Sequence, residues 1–275
     1  MSLKKMLIGI VILSAGFGGY CTYLYLTQDS VIFEPQSVSP ERLNEVEKRF
    51  PGAVFKIESP TGVTIQGYEI HKDPSLPIVI YFGGNCEEAS LFLNLFDKMK
   101  DFHFIFPNYP GYGLSGGVPS QRAFYAEAIT VYDYFKKRYN KSPEDIFLIG
   151  RSIGTPVATY LASQREVNSV CLITPFDSIR RLAQEKYPLV PVSMLLKYPF
   201  ESIKYAPEVK APCLFLLAQH DDSVPEDSSR RLAKAWGGHT ELEILPDVTH
   251  ANVMDAPDLI EKIKSFFQKR LVSNH

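Results

Sequence analysis

A serine stands between two glycines in Gly150-Arg151-Ser152-Ile153-Gly154, after an apolar run over 145–149 and before a stretch of small residues over 156–162. Strand, then Gly-x-Ser-x-Gly, then helix is the signature of a nucleophile elbow. The reason is steric. The serine takes a strained backbone conformation that points its hydroxyl out of the sheet edge, and its neighbours must be small for so sharp a turn. A hydroxyl is a weak nucleophile at its own pKa, so Ser152 needs a base. Of the six histidines, only His220 and His250 follow a strand-like run late in the chain. The chain order Ser, then Asp or Glu, then His makes His250 the base, in the loop Pro246-Asp247-Val248-Thr249-His250. The orienting carboxylate is then Asp221 or Asp222. It would accept the imidazole N–H, fix the tautomer and stabilise the imidazolium.

Three such groups meet only if successive strand ends share one edge, and the apolar spacing says whether they do. Residues 54–59 and 63–70 read as short strands joined by Pro60-Thr61-Gly62, a hairpin-like start. The continuous apolar run over 77–82 is that of a strand buried on both faces. Leu91, Leu95 and Met99 recur at helical spacing, and 103–106 is a strand before a Pro/Gly-rich loop over 107–119. Phe124, Ala128, Val131 and Phe135 mark a helical stripe. Strands over 146–149, 169–173, 213–218 and 241–245 alternate with helices over 156–164, about 226–236 and around Ile260, Ile263, Phe266 and Phe267. This alternation predicts an α/β fold on a doubly wound, mostly parallel sheet, with the chemistry at the carboxyl ends of its strands. Residues 176–207 break the pattern with prolines and aromatics and read as a small helical cap. Within it Tyr187, Tyr198 and Phe200 suggest an apolar acyl pocket, or ordinary packing.

The N-terminus belongs to a different solvent. After a short basic segment (1–5), residues 6–27 carry no charge and end among Tyr20, Tyr23 and Tyr25. About 20 apolar residues cross a bilayer, and tyrosines at one end fit an interfacial belt. A single-pass transmembrane anchor is expected; a cleaved signal peptide is the alternative, opposed by the lack of a small-x-small site after the run. Lys4 and Lys5 before the segment, with Asp29 and Glu34 after it, predict a cytoplasmic N-terminus and a main domain outside, periplasmic in a bacterium. Beyond Cys21 in the anchor, the cysteines are Cys86, Cys171 and Cys213. The last two lie in strand-like runs and read as buried free thiols. No Cys or His spacing suggests a zinc site, and a formal net charge of −2 gives no reason to expect nucleic acid. With 45% hydrophobic and 22% charged residues, the chain as a whole has the composition of an ordinary globular protein, and residues 28–275 are expected to form one domain.

Five stretches share a pattern: Tyr81-Phe82-Gly83-Gly84-Asn85, Asn108-Tyr109-Pro110-Gly111-Tyr112-Gly113-Leu114-Ser115-Gly116, the elbow, Ala218-Gln219-His220-Asp221-Asp222-Ser223-Val224-Pro225, and Thr249-His250-Ala251-Asn252. With them the chain resembles the α/β-hydrolase superfamily over about 33–267. Within it the chain is similar to small membrane-anchored serine hydrolases that include eukaryotic protein depalmitoylases and bacterial relatives. The resemblance implies an α/β-hydrolase fold with a small cap, preceded by one transmembrane helix. It implies Ser152 as nucleophile, His250 as base and Asp221, four residues before Pro225, as the acid, with Asp222 the alternative. It implies an oxyanion hole from the backbone N–H groups of Ile153 and Asn85. The family often has His-Gly where this chain has Gly83-Gly84; the donor is main chain, so catalysis does not require the histidine. Gly111, Gly113 and Gly116 are expected to make tight turns. The implied activity is cleavage of a carboxylic ester or thioester, on a small-molecule or lipid-derived acyl substrate, with no cofactor and no metal. A serine peptidase, or a non-catalytic binding protein on the same fold, are the alternatives.

Overall fold

Strands with uninterrupted apolar runs need cover on both faces, and helices supply it. The structure, a computed structural model, describes residues 3–272. Helices α1 (Leu3–Ile32) and α2 (Pro40–Arg49) precede strands β1 (Val54–Glu58), β2 (Thr64–Ile70) and β3 (Ile78–Phe82). The chain continues through α3 (Leu93–Phe96), β4 (His103–Pro107), α4 (Gln121–Arg138), β5 (Ile146–Arg151), α5 (Gly154–Gln164) and β6 (Ser169–Ile173). Three short helices follow, α6 (Ile179–Lys186), α7 (Val192–Leu195) and α8 (Ser202–Tyr205), all within the stretch 176–207. The chain closes with β7 (Cys213–Ala218), α9 (Glu226–Ala235), β8 (Thr240–Leu245) and α10 (Leu259–Val272).

The eight strands form one sheet in the order β1-β2-β4-β3-β5-β6-β7-β8. β1 and β2 pair antiparallel, as do β2 and β4, and the six strands from β4 to β8 are mutually parallel. Alternate residues divide between two cores. Ile78, Ile80, Phe82, Ile146 and Leu148 face Phe124, Val131, Phe135 and Leu161 of α4 and α5. Val79, Tyr81, Phe147 and Ile149 face Phe96, Ile263 and Phe267 of α3 and α10. From β3 the chain steps to β4 on one side, and from β5 to β6 on the other. The crevice at their carboxyl ends is therefore the topological switch point, where such sheets bind ligands.

Four details depart from expectation. Residues 91–99 are not one helix: beyond the four residues of α3 the chain makes i→i+3 turns (Met99 N–H to Phe96 O, Phe102 N–H to Met99 O). Leu93, Phe96, Met99 and Phe102 are thus the buried set, at a spacing of three, and Leu91 is exposed. Helix α1 runs five residues past Thr27, because a turn that would fray in water is held by the domain through Gln28 and Phe33. Helix α2 has no counterpart in the expected elements; Ser39 caps it by accepting from Arg42 N–H, but it buries only Val46. In the 107–119 loop Gly111 and Gly113 have positive φ as expected, whereas the third such residue is Gly117 and not Gly116. Cys171 and Cys213 are buried and unbridged, as their strand positions require.

Candidate active site

The elbow forms where α5 starts almost on top of β3. Gly154 has no room for a side chain: a Cβ there would lie 2.0 Å from the carbonyl oxygen of Phe82. Ser152 sits at φ +49°, a strained region for a non-glycine residue. Its N–H donates to Ile173 O at 3.0 Å, and its carbonyl accepts from Thr155 N–H at 2.9 Å and Thr155 Oγ1 at 2.7 Å. Gly154→Ala forces the helix off the strand, so a loss of about 3 kcal/mol is expected, at the upper end of overpacking costs. Thermal unfolding of the full chain in detergent micelles checks this; a wild-type Tm would contradict the close packing.

The structure brings together the three side chains expected from sequence. His250 Nε2 lies 2.9 Å from Ser152 Oγ. His250 Nδ1 lies 2.9 and 3.1 Å from the two oxygens of Asp221. Asp221 Oδ1 also accepts the N–H groups of Ser223 and Val224 at 2.9 and 2.7 Å, which fixes the carboxylate in a tight turn at the end of β7. Asp222 points elsewhere: it is exposed, and its Oδ1 meets the Ser223 hydroxyl at 3.1 Å. His220 is also exposed, and its N–H ties the loop to Val248 O. An imidazole bonded to a carboxylate on one nitrogen and a hydroxyl on the other can take the hydroxyl proton as that oxygen attacks a carbonyl.

Ile153 is the N-cap residue of α5 and makes no side-chain capping bond, so its N–H lies at the open amino end of that helix. Asn85 lies in the turn after β3, at the neighbouring strand end. Three tyrosines hold that turn. Tyr109 donates to Gly83 O at 2.9 Å, Tyr112 to Asn85 O at 2.6 Å, and Tyr81 to Glu87 Oε2 at 2.9 Å. Burial pushes all three phenol pKa values up, so the hydroxyls stay neutral donors.

Sequence reasoning missed Arg151 and Glu87. They form an ion pair, with side chains 8% and 2% exposed. Arg151 Nη2 also donates to the carbonyls of His250 (3.0 Å) and Ala251 (3.2 Å). One guanidinium therefore joins the elbow, the turn after β3 and the histidine loop. The sequence offers one signal, a long cation beside Ser152 in a motif that otherwise demands small residues.

The cap aromatics separate into two roles. Tyr198 and Phe200 pack with Phe33, and Phe200 also packs with Phe124. Tyr187 instead lines a groove of about 620 Å³ between α1 and the cap, which ends at the loop 221–225. The groove reaches Asp221 and stops short of Ser152 and His250. His71 pairs with Asp97 and His103 with Glu69, and no metal-binding cluster of three or more His, Cys, Asp or Glu occurs among the described residues.

A mostly parallel eight-stranded sheet, with a serine elbow after β5 and helices on both faces, defines an α/β hydrolase. The family model for the dienelactone hydrolase family matches residues 121–266, just over half of the chain, and the chain belongs to that family. It is similar along 99% of its length to the uncharacterised protein Rv2307c of Mycobacterium tuberculosis, at 27% identity and 99% of that protein's length. Protein ABHD12B of Homo sapiens is 25% identical, over 86% of this chain and 75% of that protein. Among solved structures, the Pyrococcus furiosus esterase Pf2001 shares the fold with a TM-score of 0.65 at 17% identity, over 88% of this chain and 98% of that one. The protein is thus a hydrolase of the α/β type.

Proposed function

We propose that the protein is a membrane-anchored serine hydrolase that cleaves a carboxylic ester or thioester through an acyl-enzyme. The observation that carries this reading is the unbroken chain Asp221–His250–Ser152, with one imidazole bonded at both nitrogens. Ser152 Oγ attacks the acyl carbon while His250 Nε2 takes its proton. Asp221 holds the Nδ1–H and balances the imidazolium. The N–H groups of Ile153 and Asn85 receive the oxyanion, each donor contributing about 3 kcal/mol to the transition state. On collapse His250 returns the proton to the departing alcohol or thiol. Water then attacks the acyl carbon as His250 takes its proton, and His250 passes that proton to Ser152 Oγ as the acid leaves, with no cofactor in either half. The arrangement of the chain is part of the proposal: an anchor over 6–27, a catalytic domain over 28–275 with its cap over 176–207, and the N-terminus on the cytoplasmic side. Helix α1 supports the anchor, being long and apolar enough to cross a membrane by length and composition, with a mean hydropathy of 1.7 and 6% of its apolar window buried.

The test is hydrolysis of p-nitrophenyl esters from acetate to palmitate by the full chain in detergent micelles, beside Asp221→Asn and Asp222→Asn. Asp221→Asn leaves the imidazole in the wrong tautomer and is expected to lower kcat about 10⁴-fold. Asp222→Asn alters an exposed group and is expected to stay within about threefold of wild type. A reversed pattern would move the acid to Asp222. A folded wild type inert to every ester and to a fluorophosphonate would leave a binding protein on a hydrolase fold.

A further inference from the structure

Helix α1 spans 30 residues, about 45 Å at 1.5 Å per residue, whereas a bilayer core needs about 20 residues. With the anchor over 6–27, the last turn and a half of α1 (28–32) stands clear of the hydrocarbon, and it is fastened to the cap. Gln28 is buried; its amide donates to Leu195 O at 3.1 Å and accepts from Lys197 N–H at 2.7 Å. Lys197 Nζ pairs with Asp29 at 2.6 Å and sits 4.8 Å above the Tyr25 ring. These contacts tie the end of the anchor directly to the cap, beside the point where α1 leaves the domain.

The groove lies in that joint. Leu24, Val31 and Ile32 of the anchor form one wall, and Leu182, Val190 and Leu196 of the cap form the other. Its inner end is the loop 221–225, whose Asp221 is separated from Ser152 by the His250 imidazole alone. Its volume of about 620 Å³ is that of a site for a small ligand. Leu189 and Met194, beside the cap wall, are 85% and 83% exposed, the most exposed large apolar side chains among the described residues. Side chains this bare, next to a helix that crosses a bilayer, match a face that meets lipid and not water.

We infer that this groove, which ends at the loop 221–225, holds the distal part of the substrate's acyl chain, with the carbonyl end beyond it at Ser152, and that it opens sideways to the bilayer. A long acyl chain from a membrane-borne ester or thioester slides in between α1 and the cap, and the anchor helix is itself a wall of the substrate site. The inference rests on the hydrolase reading above and names its substrate class, acyl chains that reside in the membrane.

The experiment uses the full chain in phosphatidylcholine–phosphatidylglycerol vesicles and compares kcat/KM for p-nitrophenyl palmitate, carried in the vesicles, with that for p-nitrophenyl acetate in water. Val31→Trp fills the groove from the anchor side, and Leu189→Glu with Met194→Glu puts charge on the lipid-facing tip. Each is expected to lower the palmitate-to-acetate ratio roughly tenfold or more, the effect of leaving about two acyl methylenes outside an apolar site. Wild-type ratios in both variants would overturn the inference, as would a wild type that prefers acetate. A wild type inert to both esters and to a fluorophosphonate would instead remove the hydrolase reading beneath it.

Discussion

Ser152→Ala is expected to lower ester turnover by roughly 10⁴-fold or more and to abolish labelling by a fluorophosphonate, while the protein stays folded. The size follows from what is lost: the nucleophile and its base act as a unit, and deleting either removes the covalent route. What survives is the stabilisation that binding and the proposed oxyanion donors give to attack by water. The backbone supplies an internal control. Ser152 is held at φ +49° by its bonds to Ile173 and Thr155. Strain of this kind costs about 1–3 kcal/mol. Ser152→Gly releases it, against about 0.5–1 kcal/mol for the added chain entropy of glycine. The glycine variant should therefore be inactive yet melt at or above the wild-type temperature. An alanine variant that keeps full activity would remove Ser152 from the mechanism. A glycine variant that melts well below wild type would show that the elbow is relaxed and not strained.

The strands and the elbow were legible because their causes are local. β6 and β7 match their apolar runs to the residue, and the packing of α5 on β3 explains why a glycine stands at 154. The order of Ser152, Asp221 and His250 was legible because a doubly wound sheet delivers successive strand ends to one edge. What escaped depends on contacts between distant segments. Gln28 continues α1 because the loop around Leu195 and Lys197 bonds to it, and nothing in the sequence near Gln28 announces that loop. The spacing of four in Leu91, Leu95 and Met99 reads as a helix, whereas the residues that are buried, Leu93, Phe96, Met99 and Phe102, are spaced by three. Phe200 was readable as an aromatic in a cap, but whether it lines a pocket or fills a core depends on Phe33 and Phe124, which approach from elsewhere. Glu87 and Arg151 lie too far apart in the chain for any spacing rule to pair them.

That last pair supports the second large effect. Glu87→Gln, or Arg151→Met, leaves one charge buried without its counterpart, and a loss of about 3–5 kcal/mol is expected. The matching measurement is the Tm of the full chain in micelles, which should fall by 6 °C or more at roughly 2–4 °C per kcal/mol. Replacing both residues with methionine removes both buried charges, so much of the lost stability should return. Activity should not return with it. The Glu87 side chain fills the space over Gly83 and Gly84: a Cβ on either glycine would meet a Glu87 carboxylate oxygen at 2.7 Å. Arg151 meanwhile holds the carbonyls of His250 and Ala251. Losing both ends frees the turn after β3 and the histidine loop from the elbow, and a misplacement near 1 Å can cost about 100-fold in rate. A double variant with restored Tm and low kcat, its KM for p-nitrophenyl acetate little changed, would separate alignment from stability. Full recovery of both would mean that the ion pair only fills space, and that the three strand ends are registered by the sheet alone.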